Sequence, residues 1–490
     1  MNLYIRSGIV YGLALLWITQ SSIAQQLNYC GTPPDLPHWR WYMQHREAGV
    51  EFREDTTTLY VPVMIYSVFK EKDYVSTNIH FILRTLARAN SDFRRANIQF
   101  YLFEEPDYLI NDRWFSHDYY GGQEMMEVNN IDGAINIYFV GSPAGNCGYY
   151  SPAADAIAMA YACGGHSATI SHELGHFLSL PHTFFGWEGT EYFPNSKASN
   201  YSHVVFRPIE TVDGSNCQEA GDGFCDTSPD YLSYRWTCNR DSMSSISLTD
   251  PNGAQFHADG RNIMSYANDY CPTMFSKEQI QAMRTNLTQL RSELVHERPP
   301  QQPIPPTKIS TLLFPYGHPV PPDTPVIAWN TVPNAMYYYV QVSRRRSFNG
   351  PLVLDTITSD TALWIPGLRS GNTYYVRIYP YNLVTFDNGW SERMKFQTAT
   401  TSSTFTAARH DGITLYPTCV RRGTPITIHT NGQIVDAVSI LSLYGKAVDY
   451  IKVKPLEVIT LPTDALAPGT YILQLYDRRG ISHRAVFVVQ

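Results

Sequence analysis

The sequence predicts an α+β body followed by two all-β bodies. Three observations carry this. Segments of helical period and strand-like runs alternate over the first 297 residues. A proline-rich stretch, "HERPPQQPIPPTK" (296–308), then interrupts the chain with five prolines in thirteen residues. Beyond it only short alternating runs remain, with no helical period.

The elements follow in order. "MNLYIRSG", with Arg6, precedes the apolar "IVYGLALLWI" (9–18), which is too short to span a bilayer, and then small residues at Ser22 and Ala24. Residues 1–24 are therefore expected to be a secretory signal peptide. "LYVPVMIYSVF" (59–69), "IQFYLFEE" (98–105) and "AINIYFV" (134–140) are expected strands. The helix expected over 76–97 sets Ile79, Ile82, Leu83 and Leu86 on one face. "HSATISHELGHFLSL" (166–180) is expected to be helical. "SKEQIQAMRTNLTQLRSELVHE" (276–297) opens with a Ser-x-x-Gln capping box.

After the linker at 298–308, "VIAWN", "YYYVQVS", "TYYVRIYPYN" and "MKFQT" predict a sandwich over 309–398. A softer joint, "TATTSSTFTAA" (398–408), precedes a last all-β segment, 409–490.

Composition narrows the function classes. The chain has 490 residues, 43% of them apolar and 17% charged, with a net charge of −7. There is no basic block to suggest nucleic acid, and no later run of 18 apolar residues to suggest a membrane span. Eight cysteines in an exported chain point to disulfides. Cys147 lies near Cys163. Cys217, Cys225, Cys238 and Cys271 allow three connectivities, of which Cys217–Cys225 with Cys238–Cys271 is favoured. Cys30 and Cys419 stand apart.

The chemistry concentrates in "SHELGHFLSLPH" (171–182). Residues four apart share a helix face, so His172 and His176 can offer two imidazoles to one ion. His182 can add a third if the chain turns near Ser179. Glu173 can reach a water on that ion. Three protein ligands and one open position are what catalytic zinc needs.

The spacing resembles the metzincin metalloproteases, whose pattern is H-E-x-x-H-x-x-G-x-x-H, with Ser179 in place of the glycine. That glycine ends the helix in a left-handed conformation, which costs a serine about 1–2 kcal/mol. "RNIMSYANDYC" (261–271) resembles the methionine turn beneath the metal, with Met264 as its methionine and Tyr266 two residues on. "PHTFFG" (181–186), "GDGFCDTSPD" (221–230) and "MFSKEQIQAM" are similar to the pappalysin family over roughly residues 28–297.

The resemblance implies a secreted zinc endopeptidase acting on proteins or peptides. His172, His176 and His182 would hold Zn2+, Glu173 would activate the zinc-bound water, and Tyr266 would donate a hydrogen bond to the oxyanion. It also implies a Ca2+ site at Asp222, Asp226, Thr227 and Asp230, and a specificity pocket for basic side chains at Asp269. "AADAIAMAYAC" (153–163) would be the edge strand that pairs with substrate. Cys30, in "LNYCGTPPD" (27–35), resembles the cysteine by which metzincin propeptides fill the open zinc position; the alternative is a disulfide from Cys30 to another cysteine. Residues 25–55 would then be a short propeptide, cut near Arg46 or Arg53, and 56–297 the catalytic domain.

Residues 309–398 resemble a fibronectin type III module. Residues 409–490 resemble the C-terminal sorting domain of the type IX secretion system, with the Gly445-Lys446 turn and "PGTYIL" (468–473) matching and Tyr416-Pro417-Thr418-Cys419 departing from the usual start. That implies passage to the cell surface or medium through the type IX machinery. The competing reading is a surface adhesin whose protease-like domain only binds.

Overall fold

The computed structural model describes residues 28–47, 57–71, 79–165, 167–193, 196–306 and, with gaps, 312–489. The expected signal peptide, Arg53 and the Gly445-Lys446 turn lie outside the described residues.

The first body is built on β1 (Asn28–Cys30), α1 (Pro37–Glu47), β2 (Leu59–Phe69), α2 (Ile79–Asp92), β3 (Ile98–Leu102) and β4 (Asp107–Ile110). There follow α3 (Asp112–Phe115), β5 (Ser116–His117), α4 (Tyr119–Asn129), β6 (Ile135–Val140), β7 (Ser142–Pro143), β8 (Asn146–Ser151), β9 (Ala156–Ala160) and α5 (Thr169–Phe177). A seven-stranded sheet runs β1-β8-β9-β6-β2-β3, with β4 also on β2. Only the β8–β9 pair in it is antiparallel.

β2 has neighbours along both edges and is covered on both faces, which explains its unbroken apolar run. Its odd residues, Val61, Val63 and Ile65, join the core beneath α2 and α5, which also holds Leu83, Leu174 and Phe177. Its even residues, Met64, Tyr66 and Val68, face Met125 and Met126 of α4. Asp92, paired bidentately with Arg88, also accepts from Ser171 Oγ at 2.7 Å and so fastens α2 to α5.

The helix expected over 276–297 divides. The capping box forms between Ser276 and Gln279, and α6 (Lys277–Thr285) ends in a wider turn over Asn286–Leu290.

The expected runs beyond 309 are strands at Val326–Trp329, Tyr337–Ser343, Thr373–Tyr381 and Met394–Gln397. With Leu312–Phe314, Leu354–Thr358 and Ala362–Trp364 they form a three-stranded and a four-stranded sheet around Trp329, Val340, Val376 and Phe396. The proline-rich stretch is more than a spacer. Ile304 is buried in this core, and Gln302 O accepts from Asn382 Nδ2. The outer face of the four-stranded sheet packs on the first body through Tyr339, Tyr379 and Tyr381. The last segment forms sheets of three and five strands around Ile428, Ile440, Leu473 and Phe487.

Candidate metal centre

α5 carries both leading histidines, and its end decides where the third goes. Leu180 N donates to Gly175 O at 2.9 Å and Ser179 N to His176 O at 3.1 Å, the two bonds of a Schellman stop. Ser179 is left-handed as expected, with φ 83°. Its hydroxyl accepts from Asn286 Nδ2 at 2.6 Å, which holds the strained residue in place. The chain then reverses and returns His182 to the helix face.

Each imidazole is fixed from behind. His172 Nδ1 bonds Ile263 O at 2.7 Å, His176 Nδ1 bonds Leu180 O at 2.7 Å, and His182 Nδ1 faces Glu188 Oε1 at 3.3 Å. Those bonds leave the Nε2 atoms pointing inward. His176 Nε2 lies 3.1 Å from His172 Nε2 and 3.2 Å from His182 Nε2, and 3.5 Å from Cys30 Sγ. The four ligand atoms all lie within 4.8 Å of one another. Nitrogens bound at about 2.0–2.1 Å to one tetrahedral ion stand about 3.3 Å apart, and a thiolate sulfur about 3.6 Å from them. The donor set therefore fits zinc. Burial, helped by the neighbouring His182, holds His172 and His176 well below the usual imidazole range, so both are neutral at neutral pH, as ligands must be.

Glu173 is fully buried, and burial pushes its carboxyl up to about 8. Thr32 Oγ1 donates to its Oε2 at 2.9 Å and accepts from Tyr150 N at 2.8 Å. The glycines nearby are dictated by contact. A Cβ on Gly148 would meet Glu173 Cγ at 2.9 Å, and one on Gly175 would meet Met264 Sδ at 2.5 Å. Met264 is thus packed directly against α5. Tyr266 is buried, and its hydroxyl donates to Cys30 O at 3.2 Å.

Residues 28–47 lie across this site. β1 pairs with β8 in parallel, and α1 docks beyond it, Trp39 Nε1 donating to Asp222 O at 3.0 Å. Arg46 lies within α1, its Nη1 donating to Gly223 O at 2.7 Å. The substrate-edge expectation is corrected. β9, at the heart of 153–163, is enclosed between β6 and β8, and the far side of β8 is itself taken by β1. A five-residue apolar run fits a covered strand better than an edge.

The carboxylate loop is only partly as expected. Asp222 is fully buried. Its Oδ1 accepts from Phe224 N and Thr227 Oγ1, both at 3.0 Å, while its Oδ2 has no hydrogen-bond partner among the described residues. Asp226 points elsewhere, exposed, and accepts from Glu278 N at the start of α6. Asp230 accepts from Leu232 N and Thr183 Oγ1 and steadies the turn after His182. Glu210, which the sequence did not single out, is buried nearby; burial raises its carboxyl well above the usual range, and Asp222 and Asp230 raise it further. Glu188 and Thr32 were missed as well. Each sits within six residues of a residue the sequence singled out, His182 and Cys30 respectively, the one signal that could have found them.

Disulfides join Cys147–Cys163, Cys217–Cys225 and Cys238–Cys271, the favoured pairing, and Cys30 is free. Among the described residues no helix is long and apolar enough to cross a membrane.

No family model matches the chain, and no curated protein does. Among solved structures, a mutant of Tannerella forsythia promirolysin aligns at TM-score 0.38 and 19% identity, covering 54% of this chain and 96% of that one. Mirolysin in complex with a compound aligns at 0.35 and 20%, covering 49% and 96%. The fn3 domain of human collagen alpha-1(XX) aligns at 0.17 and 18%, covering 23% and 100%.

Proposed function

We propose that the chain is a zinc endopeptidase that hydrolyses peptide bonds in extracellular proteins or peptides. One observation carries the reading. Three imidazole nitrogens, each fixed from behind, converge at tetrahedral spacing beside a buried carboxylate. His172, His176 and His182 would hold zinc, which when bound supplies a Lewis acid that polarises a carbonyl and acidifies water. Glu173 would accept a proton at Oε2 and return it to the departing amine. Tyr266 would donate from its hydroxyl to the developing oxyanion; its hydrogen bond to a peptide carbonyl supports this.

Cys30 would occupy the fourth ligand position and keep the enzyme latent, with residues 25–55 as propeptide and 56–297 as catalytic domain. The thiol's place among the histidines supports that reading. A calcium ion at Asp222 and Glu210 would satisfy the buried oxygen that lacks a partner. Residues 1–24 would direct export, 309–398 form a fibronectin type III-like module, and 409–490 serve the type IX machinery. Deleting 409–490 should then leave activity in the periplasmic fraction.

The central test is metal content and casein cleavage by the purified chain after limited proteolysis, beside Glu173→Ala. Zinc-dependent cleavage lost in the variant is the expected result. Zinc without cleavage of any protein or peptide would favour the binding-only adhesin.

A further inference from the structure

Asp269 does not stand free to meet a basic side chain. Its Oδ1 accepts from Arg235 Nη2 at 2.9 Å, and Arg235 Nη1 donates to Ala267 O at 2.5 Å. The outer face of the same guanidinium lies 4.0 Å from the ring centre of Tyr29. That ring is only 5% exposed and stands edge-on to His172 and Tyr266, each 5.1 Å away. It lines a cleft of about 770 Å3 together with His182, Glu188 and Arg235.

The two sides of this contact belong to different parts of the chain. Tyr29 lies in the N-terminal segment, one residue before Cys30. Arg235 belongs to the wall. Trp236 N donates to Tyr266 O, Asn268 N donates to Trp236 O, and the Cys238–Cys271 disulfide closes the same frame. The frame fixes Arg235 against the methionine turn independently of residues 28–47. With that segment gone, the wall would present to the metal cleft the flat, charged face of a guanidinium whose edge is paired with Asp269. Such a face attracts an aromatic ring and repels a second cation.

We infer that Arg235 is the specificity-determining residue of this cleft, and that the pocket holding Tyr29 takes an aromatic substrate side chain and disfavours lysine and arginine. The inference rests on the peptidase reading, but part of its test does not. In the full chain, alkylation of Cys30 is followed on the peptide that carries it, with Tyr29 varied. Tyr29→Phe should protect the thiol within about twofold of the wild type. Tyr29→Lys should expose it about tenfold faster, and adding Arg235→Ala, which frees Asp269 to receive the lysine, should restore protection. Equal protection by tyrosine and lysine overturns the inference, as does a double variant no better protected than Tyr29→Lys.

The second arm profiles a peptide library with the activated chain. The wild type should favour phenylalanine, tyrosine or tryptophan at one position flanking the cut, and Arg235→Ala should shift that position toward lysine and arginine by about tenfold in kcat/KM. A wild-type preference for basic residues, or a profile that Arg235→Ala leaves unchanged, also overturns it. A wild type that cleaves nothing refutes the peptidase reading, and the thiol arm still decides what the pocket accepts.

Discussion

The histidine helix and the carboxylate loop both bury polar side chains, but they treat them differently. Around α5 each imidazole has its outer nitrogen matched to an acceptor, and what remains unsatisfied points at a single spot. In the loop, Asp222 keeps one buried oxygen with no partner among the described residues, and Glu210 sets a second acid close by. The helix site can therefore be assembled by the protein alone, because folding has already satisfied its orienting contacts. The loop assembles two acids that oppose each other's ionisation, and a cation would reverse that.

The sharpest test of the helix half is Glu173→Ala. Cleavage should fall by about 10²–10⁴ in kcat while bound zinc, measured by metal analysis, stays at one per chain. Loss of the metal as well would mean that Glu173 is part of the frame.

The loop half is tested by thermal unfolding with calcium and with a calcium chelator. Calcium at about a hundredfold excess over Kd should stabilise the chain by about 2.7 kcal/mol, and Asp222→Asn should abolish the response. An unchanged Tm in the wild type would erase the contrast between the two regions.

Gly175→Ala probes how tightly the helix is built. The added methyl would have to displace Met264 Sδ, so a loss of about 1–3 kcal/mol is expected in denaturant titration. The smallest effect is expected at Ser179. Glycine there relieves the left-handed strain but gives up the bond to Asn286. The net change should lie within about 1 kcal/mol. Ser179→Ala, which keeps the strain and loses the bond, should be the less stable of the two.

These two regions also differ in how far the sequence disclosed them. The helix was legible because its three histidines fall within eleven residues, and helical period puts His172 and His176 on one face. The stop at Ser179 followed from the resemblance to the metzincin pattern, and the box at Ser276 from purely local hydrogen bonds. The loop was not so legible. Glu210 approaches Asp222 only because Gly221, with φ 47°, lets the backbone pass close to it; a Cβ there would lie 2.7 Å from Glu210 Oε2. Asp226 looked like a ligand by proximity in sequence, yet it turns outward to cap α6. The pairing of Arg235 with Asp269 spans 34 residues and had no periodic signal. The enclosure of β9 depended on where β8 would lie, which an apolar run does not state. The docking of α1 depended on partners more than a hundred residues away.

The segment crossing the cleft is joined to the body by the stretch between Glu47 and Leu59. Its grip is modest in extent: a three-residue strand, one thiol and an eleven-residue helix. A covalent tether of that length keeps a ligand at an effective concentration of about a millimolar, so even weak contacts stay occupied. One cut in the tether would alter no contact at either end. It would replace that local concentration with the dilution of the surroundings, and rebinding would become a rare encounter between separate molecules. Occupancy of the cleft is in this sense a property of chain connectivity, and severing the connection runs in one direction only.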